Sequence, residues 1–237
     1  MDFFSSLLEA IAIIPSAGQG RRMGAKKNYL PLLDMPVIAH TLKAFEASPL
    51  ISSIVVAVSP GDEESFRQDI VLRHGITKAV RIIAGGAERQ SSVSNALKAI
   101  EGYSGIIAVH DGARPLVTPD IIERTIKEAA KTGAAICAVR PKDTVKTGRD
   151  NIVTGTIDRA GLWSVQTPQA FRAHLLFEAF RKADEDGFSA TDESALVERL
   201  GIEVSVVEGS YENIKITTKE DLNIAECILM ARGSPSK

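Results

Sequence analysis

The first residues that could do phosphate chemistry form a glycine-rich stretch near the amino terminus. The sequence PSAGQGRRMGAKKNYL at residues 15–30 directly follows the apolar run 11–14 and contains two arginines and two lysines. Small residues leave backbone N–H groups accessible, and four neighbouring cations repel one another unless an anion lies among them. The stretch therefore predicts a loop that binds a polyphosphate.

The glycine spacing of this loop differs from two common phosphate loops. Gly18, Gly20 and Gly24 give G-x-G-x-x-x-G, one residue longer than the dinucleotide fingerprint, and the chain has no G-x-x-x-x-G-K-S/T string. A surface turn with solvated arginines is the plain alternative. The position of the loop favours function, because ligands of α/β sheets bind beyond the carboxyl ends of the strands.

Two more polar clusters follow apolar runs. The turn Gly85–Gly86 leads to Ser91 and Ser92, whose hydroxyls could cap a helix, while the glycines would let a base or ribose approach the backbone. The sequence HDGARP at 110–115 follows GIIAV. Its aspartate could meet a metal-bound phosphate or a ribose hydroxyl, or could pair with its own arginine. Spacing alone leaves these alternatives open.

Alternating elements would have to position these clusters. Strands are predicted at 11–15, 53–58, 79–84, 105–109, 134–139, 203–208 and, in the strand-like NIKIT, 213–217. Helices are predicted at 36–46, 62–73, 88–100, from Pro119 with Thr118 as cap, and at 172–185, 190–200 and 218–231. The alternation predicts an α/β fold, with a mostly parallel sheet and helices on both faces.

Residues 141–166 interrupt this alternation. They are rich in threonine, valine and glycine without a helical period, which predicts a β-hairpin or extended arm inserted into a single domain of residues 1–237. Little burial is expected along the arm, so it needs a partner surface. The next stretch, 166–169, is interpreted as a polar turn, and Lys215 in NIKIT is typical of an edge strand.

Composition limits the possible classes. The chain has 237 residues, 44% of them hydrophobic, and a net charge of −2, which fits one globular domain and gives no sign of nucleic-acid binding. No apolar run reaches the roughly 20 residues that cross a membrane, and MDFFSSLLEA lacks the basic start of a signal peptide. Cys137 and Cys227 are interpreted as buried thiols, and the expected compartment is the cytoplasm.

The motifs together are similar to one known family. They are, in chain order, PSAGQGRRMG with KKNYL, GGAERQSSV, HDGARP, DRAGLWSVQTPQAF, TDESALVE, and NIKIT with EDL. In order and separation they resemble the 2-C-methyl-D-erythritol 4-phosphate cytidylyltransferases of the non-mevalonate isoprenoid pathway, over roughly residues 11–230. The resemblance implies a Rossmann-like nucleotidyltransferase fold that uses CTP and methylerythritol phosphate, with Mg²⁺ or another divalent cation.

The resemblance also implies roles for individual residues. Arg22 and Lys27 would stabilise the transition state on the triphosphate, and Lys26, which stands where the family commonly has proline, remains the alternative to Lys27. The implied CTP-binding set is Ser16, Ala17, Gly18, Gly20, Gly86, Ser92, Asp111 and Gly112. The implied set for methylerythritol phosphate is Asp111, Arg114, Thr144, Arg159, Thr167, Thr191 and Lys215, with Asp111 also a possible metal ligand.

In this family the arm is exchanged between the subunits of a homodimer. The resemblance therefore implies that Arg159 and Thr144 serve the site of the neighbouring subunit.

The cations suit the implied reaction. A phosphate monoester, with a second pKa near ~6, is mostly ionised at pH 7 and needs no general base. The barrier is repulsion between two anions, since a pair of like unit charges at ~4 Å costs ~4 kcal/mol at an effective dielectric constant of ~20. Arg22, Lys27, Arg159 and Lys215, together with Mg²⁺, could offset this repulsion.

Other functions remain as alternatives. Ribitol 5-phosphate cytidylyltransferases share the glycine loop and QTPQ, although DRAGLW before QTPQ favours methylerythritol phosphate. Sugar-1-phosphate nucleotidyltransferases usually have a longer chain and another loop consensus. A non-catalytic nucleotide-binding module is disfavoured because the cations are retained, and a nicotinamide oxidoreductase because the loop spacing fails.

Overall fold

A central sheet of mostly parallel strands organises the chain. A computed structural model describes residues 8–18, 27–79 and 81–233. The strands are β1 (Ala10–Pro15), β2 (Pro31–Leu32), β3 (Met35–Pro36), β4 (Ile51–Val58), β5 (Arg81–Ala84), β6 (Ile106–Val109), β7 (Ala134–Val139), β8 (Val145–Arg149), β9 (Ile152–Ile157), β10 (Ser164–Arg172) and β11 (Ser205–Glu208). The α-helices are α1 (Val37–Ala47), α2 (Glu63–Phe66), α3 (Arg89–Ala99), α4 (Pro119–Thr132), α5 (Ala173–Glu185), α6 (Glu193–Glu198) and α7 (Lys219–Gly233), and a π-helix, Arg67–Leu72, directly continues α2.

Within the described ranges, seven strands pair in the order β11-β7-β10-β6-β1-β4-β5. All neighbours are parallel except β10, which runs antiparallel to β6 and β7. Strand β1 lies between β4 and β6, with Ile13 opposite Val55 and Val109. The carboxyl ends of β1, β4, β5 and β6 therefore meet at one edge of the sheet, and the predicted mostly parallel α/β fold is confirmed.

Helices cover both faces of the sheet because the buried strands alternate their side chains between two cores. Ala12 and Ile14 pack in the core under α1, α2 and α4, whereas Ile13 packs in the core under α3, α5 and α6. Each fully buried aliphatic side chain contributes roughly 1.5–3 kcal/mol relative to exposure. A third cluster lies between α7 and Leu32, Val37 and Leu116. The layers hold the carboxyl edge of the sheet in place.

Most predicted elements are present in the structure. The strands predicted at 11–15, 53–58, 79–84, 105–109, 134–139 and 203–208 correspond to β1, β4, β5, β6, β7 and β11. Thr118 caps α4 as predicted, since its hydroxyl oxygen accepts a hydrogen bond from the Ile121 amide at 3.4 Å. Such a cap typically contributes ~1 kcal/mol.

Three predictions about local structure are wrong. Residues 166–169, interpreted as a polar turn, lie inside β10, which also takes residues 164–166 from the predicted arm; the arm is the hairpin β8–β9. Residues 213–217 form no strand and instead run along the carboxyl edge, where the Ile216 amide donates to the Ala113 carbonyl at 2.8 Å. The helix predicted at 190–200 is shorter, because Asp192 caps α6 through the Ala195 amide at 3.1 Å.

The two cysteines differ from each other. Cys137 is buried in β7 as predicted, but Cys227 is exposed, because α7 turns little of its surface inward. Among the described residues, no helix is both long enough and apolar enough to cross a bilayer.

Candidate active site

Two glycine loops contact each other at the carboxyl edge. The Gly85 amide donates to the Val58 carbonyl at 2.7 Å, which ties the turn after β5 to the end of β4. A Cβ atom on Gly85 would lie 2.5 Å from the Cβ of Ala17 and 2.9 Å from the hydroxyl of Ser92. A side chain at position 85 would thus push the two loops apart, so glycine is needed here for close approach.

The first loop is anchored at both ends. The Ser16 amide donates to the Ala57 carbonyl at 2.7 Å, and the buried Asn28 side chain donates to the Ser16 hydroxyl at 2.7 Å. Ala17 is half-buried, and Gly18 is exposed. The other residues assigned to this loop, Gly20, Arg22 and Lys26, lie outside the described residues.

Serine hydroxyls shape the second loop. Ser92 accepts from the Gly86 amide at 3.0 Å and donates to the Glu88 carbonyl at 2.9 Å. Ser91 accepts from the Glu88 amide at 3.0 Å. Both predicted helix-start hydroxyls therefore close the turn before α3. The binding of CTP by Gly86 and Ser92 stays a prediction.

Asp111 is the centre of a buried ionic cluster. One of its carboxylate oxygens pairs with Arg89 Nε at 2.9 Å, and the other lies 2.7 Å from Lys215 Nζ and 3.8 Å from Arg114 Nε. The Asp111 side chain is only 10% exposed, whereas that of Lys215 is 37% exposed. Of the three cations, Lys215 is therefore the one most open to a ligand.

The cations keep this carboxylate ionised. Burial alone would raise the pKa of Asp111, but the charges of Arg89, Lys215 and Arg114 outweigh burial and lower that pKa well below its usual range. Asp111 is therefore an anion at physiological pH, and a proton-transfer role is unsuited to it.

A second carboxylate holds the other side of Arg89. Glu193, at the start of α6, accepts from Arg89 Nη1 at 2.5 Å and is 1% exposed. Burial raises the pKa of Glu193, and Arg89 offsets that rise only in part. Arg89 thus joins the starts of α3 and α6 to the end of β6. The cluster contains three cations and two carboxylates, which leaves one surplus positive charge.

Lys27 lies beside the segment that contains Lys215. Its ammonium donates to the Ile216 carbonyl at 3.1 Å. The same segment is fixed to the loop after β6, since Arg114 Nη1 donates to the Asn213 carbonyl at 2.7 Å. The structure therefore brings Lys27 and Lys215 to one end of the sheet, next to Asp111. Their roles in catalysis stay predictions.

His110 is buried at the floor of this cluster. It is fully buried, and its Nε2 lies 3.2 Å from the Arg114 carbonyl, to which it donates. Burial lowers the pKa of His110 to about 3, so the imidazole is neutral at physiological pH. Its ring packs against Phe45 with the centroids 4.9 Å apart. This histidine supports the loop and is enclosed away from any ligand.

The remaining central residues assigned from the sequence have structural partners. Thr167 accepts from the Asp111 amide at 3.0 Å, and the Gly112 carbonyl accepts from the Thr41 hydroxyl at 3.0 Å. Thr191 is exposed immediately before the α6 cap. Thr167 and Gly112 therefore lie in the cluster's frame, and Thr191 lies at its rim.

The arm residues lie apart from the cluster. Thr144 and Arg159 are exposed, and Arg159 Nη1 donates to the Lys142 carbonyl. Within the described ranges, neither forms a hydrogen bond or ion pair with Asp111, Arg114 or Lys215. Arg159 instead lines an open cavity of about 500 Å³ at the base of the arm, with Arg140, Pro141, Lys142 and Ala160.

The donor set does not fit a metal ion bound by the protein alone. Among the described residues, no three histidine, cysteine or acidic side chains form a group that could hold one. Asp111, the possible ligand, already pairs with Arg89 through one oxygen and with Lys215 through the other. A carboxylate occupied by two cations is a poor metal ligand, so no step is assigned to a metal held by these side chains.

Sequence reasoning missed two residues of the cluster, Arg89 and Glu193. Both stand inside quoted motifs, GGAERQSSV and TDESALVE, but they lie 104 positions apart. One sequence feature could have identified them: in each of the two motifs, a charged residue stands next to the predicted start of a helix. Pairing them needed the fold, because their ion pair joins two elements that are far apart in the sequence.

Comparison with known proteins identifies one family. The family model described as "IspD: 2-C-methyl-D-erythritol 4-phosphate cytidylyltransferase" matches residues 10–231. Relatives of that name are 50% identical in Pelotomaculum thermopropionicum, covering 93% of this chain and 94% of the relative, and 50% identical in Bacillus cereus, covering 92% and 96%.

Solved structures agree as well. A crystal structure of 4-diphosphocytidyl-2C-methyl-D-erythritol synthase from Anaerococcus prevotii has a TM-score of 0.82 at 33% identity, covering 94% of this chain and 96% of that one. The 2-C-methyl-D-erythritol 4-phosphate cytidylyltransferase of Thermus thermophilus has a TM-score of 0.80 at 32% identity, covering 94% and 99%. From motif order, site geometry and these matches, the chain belongs to the family of 2-C-methyl-D-erythritol 4-phosphate cytidylyltransferases.

Proposed function

We propose that this chain transfers the cytidylyl group of CTP to 2-C-methyl-D-erythritol 4-phosphate and releases pyrophosphate. The observation that carries the proposal is the convergence of Lys27, Arg114 and Lys215 near Asp111 at the carboxyl edge of the sheet. These three cations, from distant parts of the chain, would offset the repulsion between two anionic ligands bound there. The named relatives do not favour the ribitol phosphate alternative.

The reaction balances without a protein base. A phosphate oxygen of the alcohol phosphate attacks the α-phosphorus of CTP and forms a new P–O bond. The bond from that phosphorus to the bridging oxygen of the β-phosphate breaks, and pyrophosphate leaves with the electron pair. Because the nucleophile is already ionised near pH 7, the neutral, buried His110 and the paired Asp111 are no disadvantage.

Positioning of the two substrates and electrostatic stabilisation of the transition state would accelerate the reaction. Lys27, with Arg22, would stabilise charge on the triphosphate, while Lys215 would hold the incoming phosphate. The loop residues Ser16, Ala17, Gly18 and Gly20, together with Gly86, Ser92 and Gly112, would hold CTP. A divalent cation such as Mg²⁺ would accompany the triphosphate of CTP.

The arm would complete the site in a homodimer. Ile152 and Val153 are 69% and 63% exposed, so the hairpin presents apolar side chains that a second subunit would cover. Arg159 and Thr144, which lie apart from the cluster of their own chain, would then bind methylerythritol phosphate in the neighbouring subunit. We place the reaction in the cytoplasm, where CTP is made and used.

Pyrophosphate release tests the function. CTP, ATP, GTP and UTP are each supplied with 2-C-methyl-D-erythritol 4-phosphate or ribitol 5-phosphate, with and without a chelator of divalent cations. We expect the combination of CTP and methylerythritol phosphate to exceed all others. A preference for ribitol 5-phosphate would instead identify a ribitol 5-phosphate cytidylyltransferase. If no combination releases pyrophosphate, the remaining hypothesis is a non-catalytic nucleotide-binding module.

A further inference from the structure

Arg89 is the least expected member of the ionic cluster. It begins α3, directly after the turn that holds Gly85 and Gly86, yet its side chain reaches two carboxylates on other elements. Its Nε donates to Asp111 at 2.9 Å and its Nη1 to Glu193 at 2.5 Å. The guanidinium thus links three elements through separate nitrogen atoms, a geometry that suits arginine's rigid fork and not lysine's single ammonium.

The side chains around Arg89 explain why its charge matters. Asp111 touches Lys215 at 2.7 Å, and Lys215 is the most exposed cation of the cluster. With Arg89 paired to its other oxygen, Asp111 is held in one orientation. Without Arg89, one oxygen of Asp111 would lose its partner, and two carboxylates would balance the two remaining cations, Arg114 and Lys215. The surplus positive charge that could attract an anionic substrate would then disappear.

Glu193 is a buried counter-charge rather than a ligand contact. It is 1% exposed, and its second carboxylate oxygen has no hydrogen-bond partner among the described residues. The start of α6 is otherwise fixed by Gln169, which donates to Asp192 at 2.9 Å and accepts from the Ser194 amide at 3.0 Å. Glu193 is therefore held by the backbone around it, and it holds Arg89 in turn.

We propose that Arg89 is a positioning residue, which fixes Asp111 against Lys215 with Glu193 as its buried counter-charge and so leaves the net positive charge that binds the alcohol phosphate. This inference rests on the proposed function. It assigns the larger effect of Arg89 to one substrate, because Lys215, which Arg89 positions through Asp111, belongs only to the set predicted for methylerythritol phosphate. CTP would be affected little.

Kinetics of two single variants and one double variant test this inference. Arg89→Met keeps the apolar stem and removes the charge, and Glu193→Gln keeps the shape and removes the counter-charge. For Arg89→Met we expect KM for methylerythritol phosphate to rise by about tenfold or more, the change that 1.4 kcal/mol of lost binding produces, with KM for CTP changed by less than about twofold. In Arg89→Met/Glu193→Gln the surplus charge is restored, so KM for methylerythritol phosphate should fall by at least about threefold from the single variant.

A matched control is Arg124→Met. Arg124 on α4 also pairs with an aspartate, at 2.8 Å from Asp120, but on the exposed surface away from the cluster. Its kinetic constants should equal those of the wild type. The conservative variant Arg89→Lys keeps the charge without the fork, so its KM should lie between those of the wild type and Arg89→Met.

The outcomes separate clearly. Equal rises in KM for both substrates, or a double variant no better than Arg89→Met, would overturn the inference. If Arg89→Met fails to fold because Glu193 is left uncompensated, the double variant is compared with Glu193→Gln alone: a higher KM for methylerythritol phosphate in the double variant supports the inference, and equal values overturn it. Absence of cytidylyl transfer by the wild-type protein would overturn the proposed function itself. The comparisons between variants would overturn only the role of Arg89.

Discussion

The Asp111 cluster and the β8–β9 arm differ in how completely one chain builds them. In the cluster, carboxylates 10% exposed or less are held by cations from two other parts of the chain, Arg89 and Lys215. In the arm, by contrast, Ile152 is 69% exposed, and Arg159 donates only to a nearby backbone carbonyl within the described residues. The contrast indicates that one chain preorganises the ionic cluster, and we expect the arm to act only against another surface.

The largest expected effect is in the preorganised region. Lys27→Ala should lower kcat for pyrophosphate release by at least ~10², as does loss of one preorganised donor in other enzymes. Lys131→Ala is the matched control, because its side chain on α4 is 77% exposed. Near wild-type turnover of Lys27→Ala would remove the assignment, and a similar loss in Lys131→Ala would show that the effect is not local.

A pH experiment sharpens the same comparison. The pKa of His110 is lowered to about 3 in the folded chain, so below its ordinary pKa near 6.5 only the unfolded chain takes up the proton. Stability should therefore fall as pH decreases, by about 2 kcal/mol from this group between pH 7.5 and pH 5.

His110→Gln removes the titrating group but keeps a donor that can reach the Arg114 carbonyl. Denaturant unfolding at several pH values should give this variant a flatter stability profile between pH 7.5 and pH 5. An unchanged slope would show that the buried imidazole does not control stability in this range.

In the arm, a charge deletion should act on one substrate. Arg159→Ala should raise KM for methylerythritol phosphate by about tenfold, the loss of 1.4 kcal/mol of binding, and leave CTP affinity intact. Calorimetric titration with each ligand separately measures this. Selective loss of CTP binding would contradict the role of Arg159.

The smallest effect on the chain itself is expected from the arm's apolar face. Ile152→Glu should change the free energy of unfolding of the isolated chain by less than about 0.5 kcal/mol, because the side chain is exposed, yet it should weaken the dimer. Leu72→Glu, at a site 59% exposed outside the arm, is the matched control. Sedimentation equilibrium that finds both variants equally dimeric would show that the arm face is not an interface.

The sequence predicted the frame of the site better than its contacts. The placement of the glycine loops and Asp111 at one edge of the sheet could be predicted from local sequence pattern. Apolar strands lead into these residues, and parallel strands bring their carboxyl ends together. Residues 166–169 have the composition of a turn, because proline and polar side chains dominate this part of β10, where Thr167 and Gln169 are buried and form hydrogen bonds with neighbouring segments. Tertiary contacts override local propensity in such a segment.

The Arg89 and Lys215 contacts required the fold. NIKIT alternates like a strand, but Ile216 bonds to the loop after β6 instead of to a strand, and this places Lys215 on Asp111. Arg89 and Glu193 are joined across 104 positions, which no local pattern reveals. The surface that covers the arm can be derived neither from the sequence pattern nor from the structure of a single chain.

Mixing two impaired variants, at a concentration of methylerythritol phosphate well below KM, tests the composite site most directly. In a dimer of Lys27→Ala and Arg159→Ala subunits with exchanged arms, one site receives an intact Lys27 from its own chain and an intact Arg159 from its neighbour. With random exchange of subunits, half the dimers are mixed and each has one intact site, so about a quarter of wild-type activity should return. Activity no greater than the sum of the two separate variants, in a mixture shown to exchange subunits, would contradict the account.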